Sequence, residues 1–291
     1  DVLLGVNQAY FAVLKSQAVL QVAEQTVKSR QLVADQTSAL QKSNLKSGLD
    51  VSFANVDIAQ AKLLLIQAQN DVQASFADLS AALGYSDQRT FALTDEPEPS
   101  APPADLAPLI QEAIKNRPEL IGLNYTVQSA QSFATAERDL WFPAISAVGA
   151  AGLIPYRQDT LASRYAAVGF DVNIPIFNGR LFTARKNEAV ARARAEQQYL
   201  RDFQDRVVRD VRTAWLNANS AYQRLSVTQQ LLNEATQAFD LAQSRYGLGL
   251  SSIVELSQAQ LNKTQAQISE VSAQYDYAGQ MAYLHFELGR M

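Results

Sequence analysis

The absence of helix breakers over very long stretches is the feature that most constrains this chain. Residues 180–246 contain neither Gly nor Pro. At about 1.5 Å per residue they would form a helix of about 100 Å, whereas globular helices average about 11–12 residues. Stretches rich in Ala, Gln, Leu and Ser predict helices over 1–46, 51–83, 118–140, 179–246 and 251–289. An ordinary compact bundle is thereby excluded.

Apolar residues recur every seven positions in three of these stretches. The three series are Ile58, Leu65, Val72 and Leu79; Leu225, Leu232, Phe239 and Tyr246; and Val254, Leu261, Ile268, Tyr275 and Ala282. A strict seven-residue repeat keeps one seam facing a partner only in a coiled coil, because a straight helix drifts away from that repeat. We therefore expect long antiparallel helices that pack closely along these seams.

The chain contains a tandem repeat with an offset of about 200 residues. Gly48-Leu49 is echoed by Gly249-Leu250, and each pair stands where one helix would end and the next begin. Glycine permits the left-handed residue that ends many helices, and Asp50 and Ser251 are predicted to cap the returning helices. Two helical hairpins of one design follow from this, joined by a Pro-rich acidic crossover at 94–108.

Residues 143–177 change from a helical period to a period of two. Apolar residues alternate with a mixed set from Tyr165 to Ile174, and residues 143–154 predict a pairing strand. Strands of about 10–12 residues match the length of a tilted membrane-crossing strand. Aromatic residues flank the pair as they would at membrane interfaces: Trp141, Phe142 and Phe177 at one end, and Tyr156 and Tyr165 at the other. We therefore predict a transmembrane β-hairpin.

The composition argues against catalytic activity in this chain. The chain has one His and no Cys, its net charge is −4, and its pI is near 5.2. Thiol sites and nucleic-acid binding are disfavoured, and we expect no catalytic residues, no cofactor and no metal. His285 is interpreted as a packing or surface residue. Alternating Asp and Arg residues at 201–212 are interpreted as ion pairs on one helix face.

Four short motifs, in this order, resemble those of the TolC-like outer membrane factors, the outer membrane efflux proteins. They are Asn116-Arg117-Pro118-Glu119-Leu120, Trp141-Phe142-Pro143, Pro175-Ile176-Phe177-Asn178-Gly179 and Arg245-Tyr246-Gly247-Leu248-Gly249. The resemblance covers essentially the whole chain. It implies a mostly α fold, in which long coiled-coil helices form an α-barrel and the β-hairpin contributes to a trimeric outer-membrane β-barrel.

The resemblance also implies a division of the chain. The expected parts are 1–84, a first helical hairpin of the tunnel; 85–117, the crossover with a short equatorial helix; 118–142, a helix leading to the membrane; 143–177, the transmembrane β-hairpin; and 178–291, a second helical hairpin with tunnel and periplasmic tip. Family members carry one β-hairpin in each half, and only one is present here. We therefore expect the chain to lack an N-terminal portion.

The function that the resemblance implies is a passive exit duct of a tripartite efflux or type I secretion system. It would be a homotrimer in the Gram-negative outer membrane that extends into the periplasm. Its partners would be a periplasmic adaptor (membrane fusion) protein, an inner membrane RND, ABC or MFS transporter, and outer membrane lipid. The exported substrate is not specified by the sequence.

Position by position, the resemblance places a gate at Tyr246, Ser251, Glu255 and Gln258. Three copies of Glu255 would form an acidic constriction, although a solvated charge near a helix N-terminus explains Glu255 equally well. Tyr246 lies on a heptad seam, which favours core packing over gating. Two tips are expected to contact the adaptor: Ser47-Gly48-Leu49 and Leu248-Gly249-Leu250. Their other interpretation is that of simple glycine caps.

Two other classes of protein are compatible with long helical hairpins. A periplasmic adaptor would carry a lipoyl-like β domain split around one hairpin, and that pattern is missing. A soluble coiled-coil structural protein predicts no amphipathic β-hairpin, and the alternation from Tyr165 to Ile174 weighs against it.

Overall fold

A computed structural model describes residues 2–94, 100–153 and 164–290. Its elements are α1 (Val2–Lys42), α2 (Gly48–Ala82), α3 (Leu106–Asn116), α4 (Pro118–Asp139), β1 (Ala144–Leu153), β2 (Arg164–Asn173), α5 (Leu181–Gly247) and α6 (Ile253–Glu287). The chain divides into two compact units. The first, called the helical unit, comprises the residues up to Asn116 together with those from Val207 onward; the second, the hairpin unit, comprises Arg117–Arg206.

Two of the three predicted heptad seams are buried in the helical unit. On α2 the larger residues Ile58, Val72 and Leu79 are buried, as are the small residues Ala61, Ala68 and Ser75. On α5, Ala235, Phe239, Ala242 and Tyr246 are buried in the same way. Alternation of large and small side chains lets neighbouring helices approach closely. The coiled-coil prediction is confirmed for these two helices.

The seam predicted on α6 is wrong for its first two turns. Val254 and Leu261 are 53% and 49% exposed, whereas Ile253, Leu256 and Gln260 are buried. Helix α6 has two apolar faces. The neighbouring helices of the same chain cover the face that starts at Ile253. A period of seven identifies an apolar stripe but does not say which partner covers it.

Side-chain donors hold the described part of the crossover against the helices of the helical unit. The Trp215 Nε1–H donates to the carbonyl of Pro103 (2.7 Å), and the Tyr277 hydroxyl donates to that of Ser100 (2.5 Å). The Tyr10 hydroxyl also donates to the Thr94 carbonyl. Each bond satisfies a backbone carbonyl in a segment without regular structure. Residues 95–99 of the crossover lie outside the described residues.

The hairpin unit contains α4, the first part of α5 and an antiparallel pair of strands. The register runs from Ala144 opposite Asn173 to Leu153 opposite Arg164. One face of the pair is solvent-exposed and apolar except for Arg164 at its end, and its other members are Ile145, Ala147, Gly149, Ala151, Leu153, Ala166, Val168, Phe170 and Val172. A two-stranded ribbon is marginally stable alone in water, so this face indicates a further partner.

Among the described residues, no helix combines the length and the apolar character that crossing a membrane requires.

Candidate helix-tip site

The first helix reversal is closed by an asparagine and a serine. Asn44 has a φ of 57°, and the amide of Leu45 donates to the carbonyl of Leu40 (2.9 Å). Asn tolerates the left-handed conformation better than most residues, which lets it end α1. Ser47 then caps α2: its hydroxyl accepts from the Asp50 amide, and the Asp50 carboxylate accepts from the Ser47 amide (2.9 Å). This reciprocal pair is a complete capping box.

The second reversal repeats this geometry with different residues. Gly249 has a φ of 75°, and the amide of Leu250 donates to the carbonyl of Arg245 (2.8 Å). Ser252 caps α6 by accepting from the Glu255 amide (3.3 Å). The left-handed glycine predicted here is confirmed.

These bonds correct the register of the tandem repeat. Asn44 and Gly249 are 205 positions apart, and so are the two caps, Ser47 and Ser252. The pairing of Gly48-Leu49 with Gly249-Leu250 is therefore wrong by four positions, because Gly48 is the first residue of α2 rather than its left-handed entry.

The cap predictions were also displaced. Ser47 rather than Asp50 caps α2, and Ser252 rather than Ser251 caps α6. In the first case Asp50 lies three positions after the cap, in the first turn of the helix, where an acidic residue is part of the capping box. In the second case the prediction took the neighbouring serine. The predicted bounds are shifted accordingly: the first helix, predicted to residue 46, ends at Lys42, and the second, predicted from residue 51, begins at Gly48.

Lys46 joins the two tips. Its ammonium group lies 3.7 Å from the centroid of the Tyr246 ring and donates to the Tyr246 carbonyl (3.3 Å). A cation over an aromatic face is attracted by the ring quadrupole. The two reversals are thus neighbours within the helical unit.

Tyr246 is part of the core beneath the tips. It packs with Val33, Phe239, Ile253 and Leu256, and its hydroxyl lies 3.5 Å from the Thr37 hydroxyl. The pKa of Tyr246 is raised, mainly by burial. The hydrogen bond with Thr37 opposes this shift, and the Asp50 charge adds to it. The interpretation as core packing is supported by this geometry.

The other three predicted gate residues sit on the second tip. Glu255 is exposed and lies 3.6 Å from Arg245 Nε, while Gln258 is exposed and donates to Asn262 (2.9 Å). Ser251 is half-buried, and its hydroxyl oxygen has no hydrogen-bond partner within the described residues. Arg245, which the sequence interpretation did not connect with Glu255, is the side chain that faces this acid.

The predicted adaptor-contact tips expose leucine side chains. Leu49, Leu248 and Leu250 are exposed, and so is Leu45, which the sequence interpretation missed. Leu45 and Leu250 are equivalent in the corrected repeat, and they are 69% and 67% exposed. The remaining tip residues Ser47, Gly48 and Gly249 serve the caps and turns described above.

A buried ion pair ties three helices together a few turns from the tips. Arg30 on α1 is 5% exposed; its Nη1 lies 3.7 Å from the Asp57 carboxylate on α2 and donates to the Asp57 carbonyl (3.1 Å). The Ser257 hydroxyl on α6 donates to the same carboxylate. The pKa of Arg30 is lowered by burial, and the Asp57 charge opposes this shift. Nothing local in the sequence links these three residues.

The aromatic residues predicted at the membrane interfaces are exposed wherever they are described. Trp141, Phe142, Tyr165 and Phe177 are exposed, and Tyr156 lies outside the described residues. The Trp141 ring makes an edge-to-face contact with Phe182, with centroids 5.9 Å apart. The Tyr165 ring covers Gly152, where an added Cβ would come within 2.7 Å of the ring.

The remaining charged candidates behave as surface groups. Arg192 pairs with Glu188, and Arg206 pairs with Asp202, one helical turn apart. His285 is half-buried; burial and Arg290 lower its pKa, and Glu112 raises it. Across the described ranges, no group of three or more His, Asp or Glu side chains is arranged to hold a metal ion.

Long paired helices, two neighbouring helix reversals and an exposed β-hairpin define a protein built from helical hairpins. The family model for outer membrane efflux proteins matches residues 1–85 and 109–290. The chain therefore belongs to the outer membrane efflux protein family, and the resemblance predicted from its motifs is confirmed. The family consists of outer membrane channels rather than enzymes. Membership in it also confirms the predicted localisation in the outer membrane.

Individual relatives are distant but cover most of the chain. The toluene efflux pump outer membrane protein TtgC of Pseudomonas putida is 24% identical over 267 residues, which are 90% of this chain and 55% of TtgC. The outer membrane protein TolC of Escherichia coli is 21% identical over 288 residues, 94% of this chain and 58% of TolC. The chain thus spans somewhat over half the length of these curated relatives.

Solved structures show the same fold. A crystal structure of CusC aligns with a TM-score of 0.83 at 20% identity, over 99% of this chain and 68% of CusC. VceC from Vibrio cholerae aligns with a TM-score of 0.78 at 17% identity, over 99% and 69% of the two chains. The mostly α fold of a channel family, predicted from the sequence, is confirmed by these likenesses.

Proposed function

We propose that this chain is part of a passive exit duct, a homotrimer whose helical hairpins form a tunnel and whose β-hairpin crosses the outer membrane. The tunnel would extend into the periplasm as part of a tripartite efflux or type I secretion system. Relatives named as efflux pump outer membrane proteins support this role. The duct performs no chemistry, and an inner membrane transporter supplies the energy.

The observation that carries the proposal is the apolar face of the β-hairpin. Each strand has ten residues, close to the roughly 9–11 that a tilted strand needs to cross a bilayer. Its apolar face is exposed from Ile145 to Val172, and bulky members such as Val168 and Phe170 would be costly to leave in water. Three chains would supply the neighbouring strands that the ribbon lacks.

The tips are the proposed contact with a periplasmic adaptor protein. Leu45 and Leu250 project from equivalent positions of adjacent reversals, and Leu49 and Leu248 extend the same apolar tip surface. Exposed leucines around helix reversals suit tip-to-tip packing against a partner's helical hairpin, because their burial is favourable and nothing in the described chain covers them.

Gating is proposed to be a rearrangement of the tip helices, biased by adaptor contacts between a packed closed state and a splayed open state. Glu255 is the proposed constriction residue, supported by its exposure on the second tip. Its nearness to Arg245, at 3.6 Å, partly offsets its charge. Three such carboxylates around a pore would attract cations.

A conductance experiment on Glu255→Gln tests this proposal, and Asp50→Asn is the matched control. Asp50 occupies the equivalent position of the first hairpin, but its carboxylate is engaged in the capping box. In planar bilayers containing the full-length protein, Glu255→Gln should change single-channel conductance and weaken block by Mg²⁺, while Asp50→Asn should leave the block unchanged. Unaltered conductance and block in Glu255→Gln would remove Glu255 from the gate, and absence of any channel would refute the duct.

A further inference from the structure

A polar cavity lies among α1, α5 and α6 in the helical unit, a few turns from the tips. Its volume is about 170 Å³. Its lining includes the buried residues Arg30, Gln260 and Phe239 and the half-buried Lys263. A single water molecule needs only roughly 10–15 Å³ of such space, so the cavity has room for a larger occupant.

Two residues that line this cavity carry a buried donor without a hydrogen-bond partner in the described part of the chain. The donors are the Arg30 Nε–H and the Gln260 Nε2–H₂ group, and both side chains are 5% exposed. Buried polar groups almost always find partners, so two unpartnered donors on residues that line the same cavity need an explanation. The hydroxyls of Thr26 and Thr264 each donate to a carbonyl of their own helix, at 2.8 and 3.0 Å, and neither accepts a hydrogen bond from these two groups within the described residues.

The charge of the cavity is positive. Arg30 is partly compensated by Asp57, which lies 3.7 Å away. Lys263 has its ammonium group 4.6 Å from the Phe239 ring centroid and no ion-pair partner in the part of the chain that the structure describes. Among the described residues that line the cavity, none is acidic.

We propose that this cavity binds a small inorganic monovalent anion of the chloride class. An anion would accept from the Arg30 Nε–H and the Gln260 amide and would offset the charge of Lys263. A metal cation is disfavoured because the wall offers two cationic side chains and no carboxylate. A single charge fits best, because Lys263 is the one cation among the described lining residues that lacks a counter-ion.

The bound anion would join α1 to α6. Arg30 belongs to α1, and both Gln260 and Lys263 belong to α6. Since unpaired donors at this interface favour separation of the helices, occupancy of the site stabilises their packed arrangement.

The test is an anion titration of the full-length, detergent-solubilised protein. Sodium chloride replaces sodium gluconate at constant sodium concentration, and the unfolding midpoint is followed by circular dichroism. The wild type should gain roughly 2–4 °C and then saturate. Lys263→Gln and Gln260→Met should lose most of this gain, whereas Lys28→Gln, an exposed lysine on α1, should keep it.

A crystal soaked in bromide provides the second readout. An anomalous peak within hydrogen-bond distance of Arg30 Nε and Gln260 Nε2, absent from Lys263→Gln crystals, would support the site. A cavity filled by water only would overturn the proposal. So would a chloride response that does not saturate, or one that is equal in the wild type and Lys263→Gln.

Discussion

The two helix reversals of the helical unit share one geometry but use their acidic residues differently. At the first, the Asp50 carboxylate turns back onto the Ser47 amide at 2.9 Å and closes the capping box. At the second, Glu255 occupies the equivalent position, yet only its amide takes part in the cap, and its carboxylate faces Arg245. The longer side chain is thus exposed on the surface of the tip.

This difference teaches that a repeated start signal can serve two purposes. In the first hairpin the acid stabilises the helix terminus, both through the hydrogen bond and through the helix dipole. In the second hairpin the cap is simpler, and the carboxylate is available to ions or to a partner. The proposed assignment of the gate to the second hairpin rests on this contrast.

The largest expected effect is on the free energy of unfolding. It concerns the buried Arg30–Asp57 ion pair, at which the two helical hairpins differ. Asp57→Asn leaves the buried Arg30 charge uncompensated and should lower the free energy of unfolding by about 3 kcal/mol. Asn262 is the equivalent residue of the second helical hairpin and is exposed. Asn262→Asp should therefore change the free energy of unfolding by less than about 0.5 kcal/mol. Denaturant unfolding of both variants checks this, and equal losses would mean that the pair does not hold the helices together.

The next effect concerns the left-handed residues of the reversals. Gly249→Val should cost about 1–2 kcal/mol, because a side chain at a φ of 75° strains the backbone although no atom crowds the position. Asn44→Gly should alter stability by only a few tenths of a kcal/mol. Gly247→Ala is the control: this glycine is helical and uncrowded, and the change should be neutral or stabilising. If thermal unfolding ranks Gly247→Ala as the worse variant, the corrected register fails.

A smaller effect should separate the two caps. Ser47→Ala breaks a reciprocal box and should cost about 1 kcal/mol, whereas Ser252→Ala removes one longer bond of 3.3 Å and should cost about 0.5 kcal/mol. Melting curves recorded under identical detergent conditions measure the difference. A larger loss for Ser252→Ala would show that the second cap is the stronger one.

The smallest expected effect is a pH-dependent change in stability. It concerns the pair formed by Arg290, which follows α6, and Glu112 on α3. The Arg290 guanidinium donates two hydrogen bonds of 2.7 Å to Glu112 and lowers the pKa of that carboxyl. The folded-state pKa is therefore below the unfolded value, so this contribution is present above the unfolded pKa of 4.5 and is lost as pH falls through the lower folded value. Glu112→Gln should flatten the acid limb of a stability–pH curve slightly, and an unchanged acid limb would show that the pair contributes nothing.

The sequence predicted the features that depend on local periodicity. The seven-residue seam of α2 and the alternation of Val168, Phe170 and Val172 recur over many residues, so a single wrong assignment does not shift the pattern. The aromatic residues beside the strands were found in the same way. These features require no knowledge of distant parts of the chain.

The features that sequence reasoning missed depend on backbone conformation or on distant partners. Gly48 suggested a left-handed turn, but Asn44 adopts it, because the identity of a residue does not fix its φ. Arg30 and Asp57 meet only because α1 and α2 pair along their length. The exposed stripe of Val254 and Leu261 illustrates the same limit, since a stripe does not name the surface that covers it.

The central claim is that this chain forms a trimeric duct inserted in the outer membrane. Light scattering of the full-length protein, extracted and purified in detergent, measures its protein mass most directly. The account predicts three times the mass of one chain and precipitation when the detergent is removed, because the apolar face of the β-hairpin would lose its cover. A protein that stays soluble without detergent as a monomer or dimer would contradict it.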